Sequence, residues 1–228
     1  MARMTVQQIM TMVAASVNQE STPPSSGSAE YTLWLQYINR AIEEWSVSHD
    51  WDALRRTYYP GVTGVSLASV NLPDNFRKLA GAPRLYYEGM EYPKEFPLEL
   101  PERAGLHNPS EEFVTIQGDS SIGQALIFNP GTLASGASLA IPYFATPTSV
   151  ASPAQITEVP DPQFIIDRTV AYIFESRSDP RFQIVENKAR DRLMMMIENA
   201  NAATYDSYAN ATPVLNTLGK IRFRLGRD

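Results

Sequence analysis

Helical periodicity of apolar residues is present at both ends of the chain and absent from its middle. Apolar residues recur at three- and four-residue steps in residues 4–19 and 31–51, and again from Pro162 to about residue 208. Between about residues 55 and 160, Pro, Gly, Ser and Thr are dense and the apolar runs are short, which is typical of strands joined by turns. This order predicts an α+β fold: a helical bundle of about four helices, an inserted small antiparallel β lobe and an extended C-terminal arm.

The same order predicts the domain boundaries. We place the helical bundle in residues 1–55 and 161–210, the β-rich lobe in 56–160 and the arm in 211–228. Strands are expected in TYYPGVTGVSLA, RLYYEGMEY, EFVTIQG, ALIFNP and SLAIPYFA. Two hairpins are predicted, EFVTIQGDSSIGQALIFNP and ALIFNPGTLASGASLAIPYFA, with Gly118 and Gly123 as turn residues of the first.

The second helix has the strongest signal. Trp34, Ile38, Ala41, Trp45 and His49 recur at helical steps and form one apolar face. Ser28 suits its N-cap, because a serine oxygen can accept from an amide of the first turn. We therefore expect a core helix, with His49 at its end packed against Trp45 and without a catalytic role.

The third helix has more apolar surface than one face can hold. Asp161 suits its N-cap and Pro162 its first position. One stripe contains Ile166 and Val170, and a second, about 100° away, contains Ile165 and Tyr172. A surface helix of a small monomer needs one stripe, so the second packs against more of the same chain or against another copy.

The fourth helix follows a break at Asp179-Pro180, where Asp179 can also serve as a new N-cap. It contains three consecutive methionines, Met194, Met195 and Met196. Two readings stay open for this run: a helix buried on most sides, or a helix that lies between copies of the chain.

Composition excludes several classes of site. The chain has no cysteine, which rules out disulfides and thiolate sites, and its two histidines, His49 and His107, cannot form a His-rich metal centre. The net charge is −6, which disfavours a stand-alone nucleic-acid binder. The last eleven residues carry +3, so the other 217 carry 15 Lys and Arg against 24 Asp and Glu, or −9.

No motif indicates catalysis, a cofactor or a metal. Glu43 and Glu44 are adjacent on a predicted helix and diverge by about 100°, so we interpret them, like Glu111 and Glu112, as solvated surface. No apolar run approaches the ~18 residues of a membrane span. The N-terminal residues have helical spacing and predict an amphipathic helix rather than a signal peptide.

Four segments, taken in order, carry a resemblance to a known family. They are YINRAIEEWSVSHDW followed by TYYPGVT; LPDNFRKLAGAPRLYYEG; IPYFATPTSV; and the long ITEVPDPQFIIDRTVAYIFESRSDPRFQIVENKARDRLMMMIENA. Together they span residues 4 to about 200. Their order and spacing resemble the head-to-tail adaptor proteins of tailed bacteriophages, which form the ring under the portal in short-tailed phages.

The resemblance implies a structural, non-enzymatic virion protein at the head-tail junction, assembled in the host cytoplasm. Its partners would be the portal protein above, a tail or nozzle protein below and further copies of itself in a ring, usually of twelve. DNA would pass through the lumen without sequence-specific binding, and no membrane or cofactor is implied. An acidic lumen would let DNA slide, since it offers few cations to hold phosphates.

The same resemblance suggests two sets of contact residues. Neighbouring subunits would meet at Ile165, Tyr172, Met194 and Met195. The C-terminal arm would dock on the portal or a neighbour as an added strand, through the alternating residues Lys220, Ile221, Arg222, Phe223, Arg224 and Leu225.

Two other functions remain as alternatives. One is a tail-tube or head-completion protein of a long-tailed phage; a tube subunit should be dominated by β-sheet. The other is a virion-associated peptidoglycan hydrolase, which would need a carboxylate pair facing a cleft.

Overall fold

The computed structural model describes residues 3–61, 69–86, 93–100, 102, 112–119, 123–129 and 138–210, with side chains as far as residue 202. It divides the chain into a helical unit, Met1–His49 with Ser149–Asp228, and a β unit, Asp50–Thr148. The β unit is therefore inserted in the sequence of the helical unit. The two units meet in the chain after His49 and after Thr148, which is earlier than the boundaries predicted near residues 55 and 161.

In the described residues, the helical unit contains four helices: α1 (Val6–Asn18), α2 (Ala29–Ser48), α3 (Pro162–Ser176) and α4 (Phe182–Asn210). Each of the first three begins at a side-chain cap. Thr5 accepts from the Gln8 backbone amide while the Gln8 side chain accepts from the Thr5 amide, a complete capping box. Ser28 and Asp161 cap α2 and α3 as predicted.

Helix α3 is the centre of the helical unit, because it packs against α1, α2 and α4. It is buried around most of its circumference: Ile165 is 0% exposed and Tyr172 is 3% exposed. The second apolar stripe is thus covered by the same chain. The prediction that Ile165 and Tyr172 contact a neighbouring subunit is wrong, because α2 and α4 flank the helix where a neighbour was expected.

The apolar face of α2 is confirmed as core, with Trp34, Ile38 and Trp45 at most 1% exposed. Residues 149–161 also belong to this unit. The Val6 amide donates to the Gln155 carbonyl oxygen at 2.8 Å, and the Asn39 side chain forms two hydrogen bonds with the backbone of Val150. These contacts attach the segment before α3 to α1 and α2.

The break between α3 and α4 has a local cause. Ser178 has a left-handed φ of 52°, and the Asp179 amide donates back to the Phe174 carbonyl oxygen at 2.9 Å. The Asp179 side chain then accepts from the Arg181 amide at 2.9 Å. The chain therefore turns at the predicted Asp-Pro position, and α4 begins at Phe182.

The described part of the β unit begins with a short 3₁₀ turn (Asp52–Leu54) and contains two antiparallel sheets. The strands are β1 (Arg55–Tyr58), β2 (Ser69–Asn71), β3 (Phe76–Leu79), β4 (Arg84–Tyr86), β5 (Lys94–Glu95), β6 (Phe113–Asp119), β7 (Gly123–Asn129) and β8 (Ser138–Ala145). One sheet has the order β1-β8-β4-β5, with β3 also paired to β8, and the other has the order β2-β7-β6.

Both sheets contribute to one apolar cluster. Leu126 from β7, Leu85 from β4, and Leu139 and Ile141 from β8 are at most 1% exposed. The rings of Phe96 and Phe128 meet edge to face in the same cluster, with centroids 5.3 Å apart. This shared core explains why the strand alternation in the sequence is imperfect, since the strands are short and their core-facing side chains are fixed by packing.

The predicted α+β class, four helices with an inserted antiparallel β region, is confirmed. The first predicted hairpin is confirmed as β6–β7, with Gly118 and Gly123 at positive φ. The second is wrong, because β7 pairs with β2 and β6 whereas β8 pairs with β1, β3 and β4. The arm, residues 211–228, lies outside the described residues.

Candidate functional site on the last helix

The first half of α4 is attached to α3 and its N-cap by charged contacts. Three pairs make this attachment: Arg192 with Asp161 at 2.7 Å, Lys188 with Asp167 at 2.9 Å, and Glu186 with Arg168. All three α4 partners lie within residues 186–192. This stretch of the helix is therefore held in register along α3.

Arg168 is the centre of a half-buried polar cluster that joins α2, α3 and α4. Its Nε donates to Glu44 Oε2 at 2.6 Å and its Nη1 donates to Glu186. The Tyr172 hydroxyl donates to the same Glu44 oxygen at 2.7 Å. Two guanidinium groups lie over the Tyr172 ring, that of Arg40 at 4.3 Å and that of Arg168 at 4.5 Å from its centroid. One side chain from each of three helices is thus fixed by the others.

The cluster changes two pKa values. Burial, followed by the hydrogen bond to Glu44, raises the pKa of Tyr172 to about 12. Burial works against the charged form of Arg168, but the hydrogen bond and the charge of Glu44 outweigh it and raise the pKa of Arg168. At neutral pH the tyrosine hydroxyl is therefore a donor and the arginine is a cation, which are the states that hold Glu44 in place.

The interpretation of Glu44 as solvated surface is wrong, because only 34% of its side chain is exposed and it accepts hydrogen bonds from Arg168 and Tyr172. Glu43 is exposed, as expected. One signal could have located the cluster: Arg168 lies within a helix that is apolar on two sides, and a charge in such a position needs a partner. The partner itself, 124 residues earlier, could not be read from the sequence.

An open cleft of about 280 Å³ lies between α1, α3 and the beginning of α4. We call it the apolar cleft. Its walls are Val170, Phe174, Ile184 and Val185, and its polar rim consists of Ser16, Asp167, Arg181 and Lys188. Ile184 is 73% exposed, so an apolar wall of this cleft is open to solvent.

The part of α4 that follows these contacts exposes methionines. Met194 is 54% exposed and Met195 is 60% exposed, while Met196 on the same run is half-buried. Asp191 and Glu198 are exposed and lie one turn before and one turn after the pair. We call this set, Asp191, Met194, Met195 and Glu198, the methionine face. The prediction that Met194 and Met195 contact a neighbouring subunit stays a prediction.

The sequence also singled out two histidines and the pair Glu111 and Glu112 as residues to place. His49 is the C-cap of α2, Glu112 forms an ion pair with Lys94, and Glu111 and His107 lie outside the described residues. Within the described ranges, no group of three or more His, Asp or Glu side chains could hold a metal ion.

The remaining predicted contact residues, Lys220, Ile221, Arg222, Phe223, Arg224 and Leu225, lie outside the described residues. None of the helices in the described ranges combines the length and hydropathy needed to cross a bilayer. No protein-family model matches the chain, and no curated protein has a significant match to it.

Proposed function

We propose that this protein is a structural subunit of a bacteriophage head-to-tail adaptor: a ring between the capsid portal and the tail, with DNA passing through its lumen. The observation that carries the proposal is the methionine face. Helix α4 is held on the bundle by residues 186–192, and the residues that follow expose apolar side chains whose exposure does not stabilise a monomer. A ring gives each subunit two neighbours to cover such surface.

Two further features support this proposal. The order of segments from residue 4 to about 200 resembles that family, and the chain folds as four helices with an inserted antiparallel β unit. The helices also favour an adaptor over a tail-tube subunit, for which a sheet-dominated fold is expected. The excess of acidic residues outside the last eleven residues suits a channel that does not retain DNA.

The test is the mass of the protein in solution, measured by light scattering with and without the portal ring of the same phage. We expect a monomer of 25.4 kDa that adds to the portal in a multiple of the portal's symmetry. A portal from an unrelated phage is the matched control and should bind no copies. A protein that never associates with its own portal overturns the proposal.

The arm is tested separately by deleting residues 213–228. The truncated protein should keep the circular dichroism spectrum and melting temperature of the full chain, because the deletion leaves α1–α4 intact. We expect its docking to the portal to be lost. Docking at full-length affinity would show that the arm is dispensable and that another surface binds the portal.

A further inference from the structure

Two stretches, one that begins at Arg181 just before α4 and one further along the helix, have the same spacing of side chains, and the residues that flank them have opposite charges. At the apolar cleft, Arg181 and Lys188 are seven residues apart. The two apolar residues between them, Ile184 and Val185, come three and four residues after Arg181. On the methionine face, Asp191 and Glu198 enclose Met194 and Met195 at the same third and fourth positions. In both stretches the charged residues are about 10 Å apart along the helix, at ~1.5 Å per residue.

From this match we infer that the methionine face of one copy docks into the apolar cleft of a second copy. Met194 and Met195 would enter between the apolar walls, while Asp191 and Glu198 would meet the cations of the rim. Arg181 and Lys188 are 52% and 60% exposed at their side chains even with their intrachain partners, so both can reach a second carboxylate. This inference rests on the proposed ring, because it names the contact between its neighbours.

The size of the cleft fits this occupant. Small-molecule pockets usually measure roughly 300–1,000 Å³, and this open cleft of about 280 Å³ is at the lower limit. Inserted side chains suit such a space better than a cofactor does. Methionine is the side chain best able to adapt to an irregular apolar gap, because it is unbranched and flexible.

The methionine face cannot fill the cleft of its own chain. The two stretches are ten residues apart on one helix, so their centres are separated by about 15 Å along the axis and by about 80° around it. The methionines cannot fold back to their own cleft. The two surfaces also face different directions, which makes the contact heterologous and able to continue from subunit to subunit.

Disulfide trapping tests this contact directly, because the chain has no cysteine of its own. The variant I184C/M195C places one thiol on an exposed wall of the cleft and one on the methionine face. Within one chain the two positions are about 16 Å apart on a helix, well beyond the ~7 Å limit between Cα atoms for a disulfide. Under mild oxidation on the assembled ring, we expect a ladder of dimers, trimers and larger species on a non-reducing gel.

Matched variants separate this contact from random collision. Mixing I184C with M195C should stop the ladder at dimers, since each copy then has one thiol. The control I184C/V47C uses Val47, which is 68% exposed on α2, and should form at least tenfold less cross-linked product. Adding D191K/E198K to the trapping variant should reduce the ladder severalfold, because it places cations opposite Arg181 and Lys188.

The outcomes distinguish this inference from the proposed function. A ring that forms on the portal without a ladder overturns the α4 contact and leaves the adaptor proposal standing. A ladder from a protein that never binds the portal supports the α4 contact and overturns the adaptor proposal. If no ladder forms and the protein never binds the portal, both the α4 contact and the adaptor proposal are overturned.

Discussion

The two units use charged residues in different ways. In the helical unit, Arg168 has 15% of its side chain exposed and binds Glu44 and Glu186 between three helices. In the β unit, pairs such as Arg84 with Glu95 lie at the surface, with about half of each side chain in solvent. Half-buried polar contacts therefore add to the apolar core of the helical unit and hold its helices in register. In the β unit, surface pairs such as Arg84 with Glu95 add little to the apolar cluster.

The largest effects should come from the two apolar cores, where the units are alike. Trp34→Ala should lower the free energy of unfolding by about 3–5 kcal/mol, and Leu126→Ala by about 2–5 kcal/mol, because each removes a side chain that is at most 1% exposed. Hydrogen exchange followed by mass spectrometry can show which helices or strands each substitution destabilises. We expect Trp34→Ala to accelerate exchange in α1–α3 and Leu126→Ala to accelerate it in β6–β8; equal acceleration everywhere would mean a single cooperative core.

The next largest loss of stability should differ between the helical unit and the β unit. Arg168→Ala removes the cation that Glu44 and Glu186 share, while Glu186 keeps its pair with Arg190 at 3.8 Å. We expect a loss of about 2–3 kcal/mol, less than for a fully buried pair because Glu44 is partly exposed. Arg84→Ala in the β unit is the matched control and should cost less than about 1 kcal/mol. Urea unfolding of both variants measures the difference. Equal losses would contradict the contrast between the units.

The features that depend on neighbours in sequence could be predicted. Ser28 and Asp161 cap their helices, the turn at Asp179-Pro180 separates α3 from α4, and β6 pairs with β7, the next strand along the chain, with Gly118 near the end of β6. In each case the responsible atoms lie within a few residues of one another, so the pattern contains the cause.

The features that depend on distant partners could not be predicted. Periodicity showed that α3 has two apolar faces, but it could not show that the same chain covers Ile165 and Tyr172. The prediction of a β7–β8 hairpin was wrong for a similar reason. Strand β8 pairs with β1, β3 and β4, whereas β7 pairs with β2 and β6 in the other sheet. For the candidate site, the sequence singled out Met194 and Met195 but left open whether the chain buries them, whereas their exposure and the cleft required the structure.

The Arg168 cluster also predicts a pH dependence specific to the helical unit. The pKa of Tyr172 is about 12 in the folded protein against 10.0 for the free side chain, so the folded state retains a proton that the unfolded state releases. This stabilisation is complete below pH 10 and is lost as the pH rises to 12. At pH 7, Tyr172→Phe should cost about 2 kcal/mol through the hydrogen bond to Glu44.

Urea unfolding of the wild type and Tyr172→Phe from pH 7 to 12 measures this effect. The difference in stability between the two proteins should be constant to about pH 9 and shrink above pH 10. Tyr143→Phe is the matched control in the β unit, where the hydroxyl bonds Asn75 at 3.1 Å; its difference should be smaller at pH 7. A Tyr172→Phe difference that does not change with pH would show that the hydroxyl does not retain its proton.

The smallest difference should be that between two backbone positions in the β unit. Gly118 and Gly123 end the β6–β7 ladder with φ of +90° and +89°, so alanine at either position should cost about 1 kcal/mol in backbone strain. Only at Gly118 would the new Cβ lie 2.2 Å from a backbone oxygen, that of Gly123. We therefore expect Gly118→Ala to cost about 1 kcal/mol more than Gly123→Ala in urea unfolding. Equal losses of unfolding free energy in the two variants would mean that the backbone near Gly118 shifts to make room for the Cβ. The hairpin would then tolerate a local change that the Arg168 cluster does not.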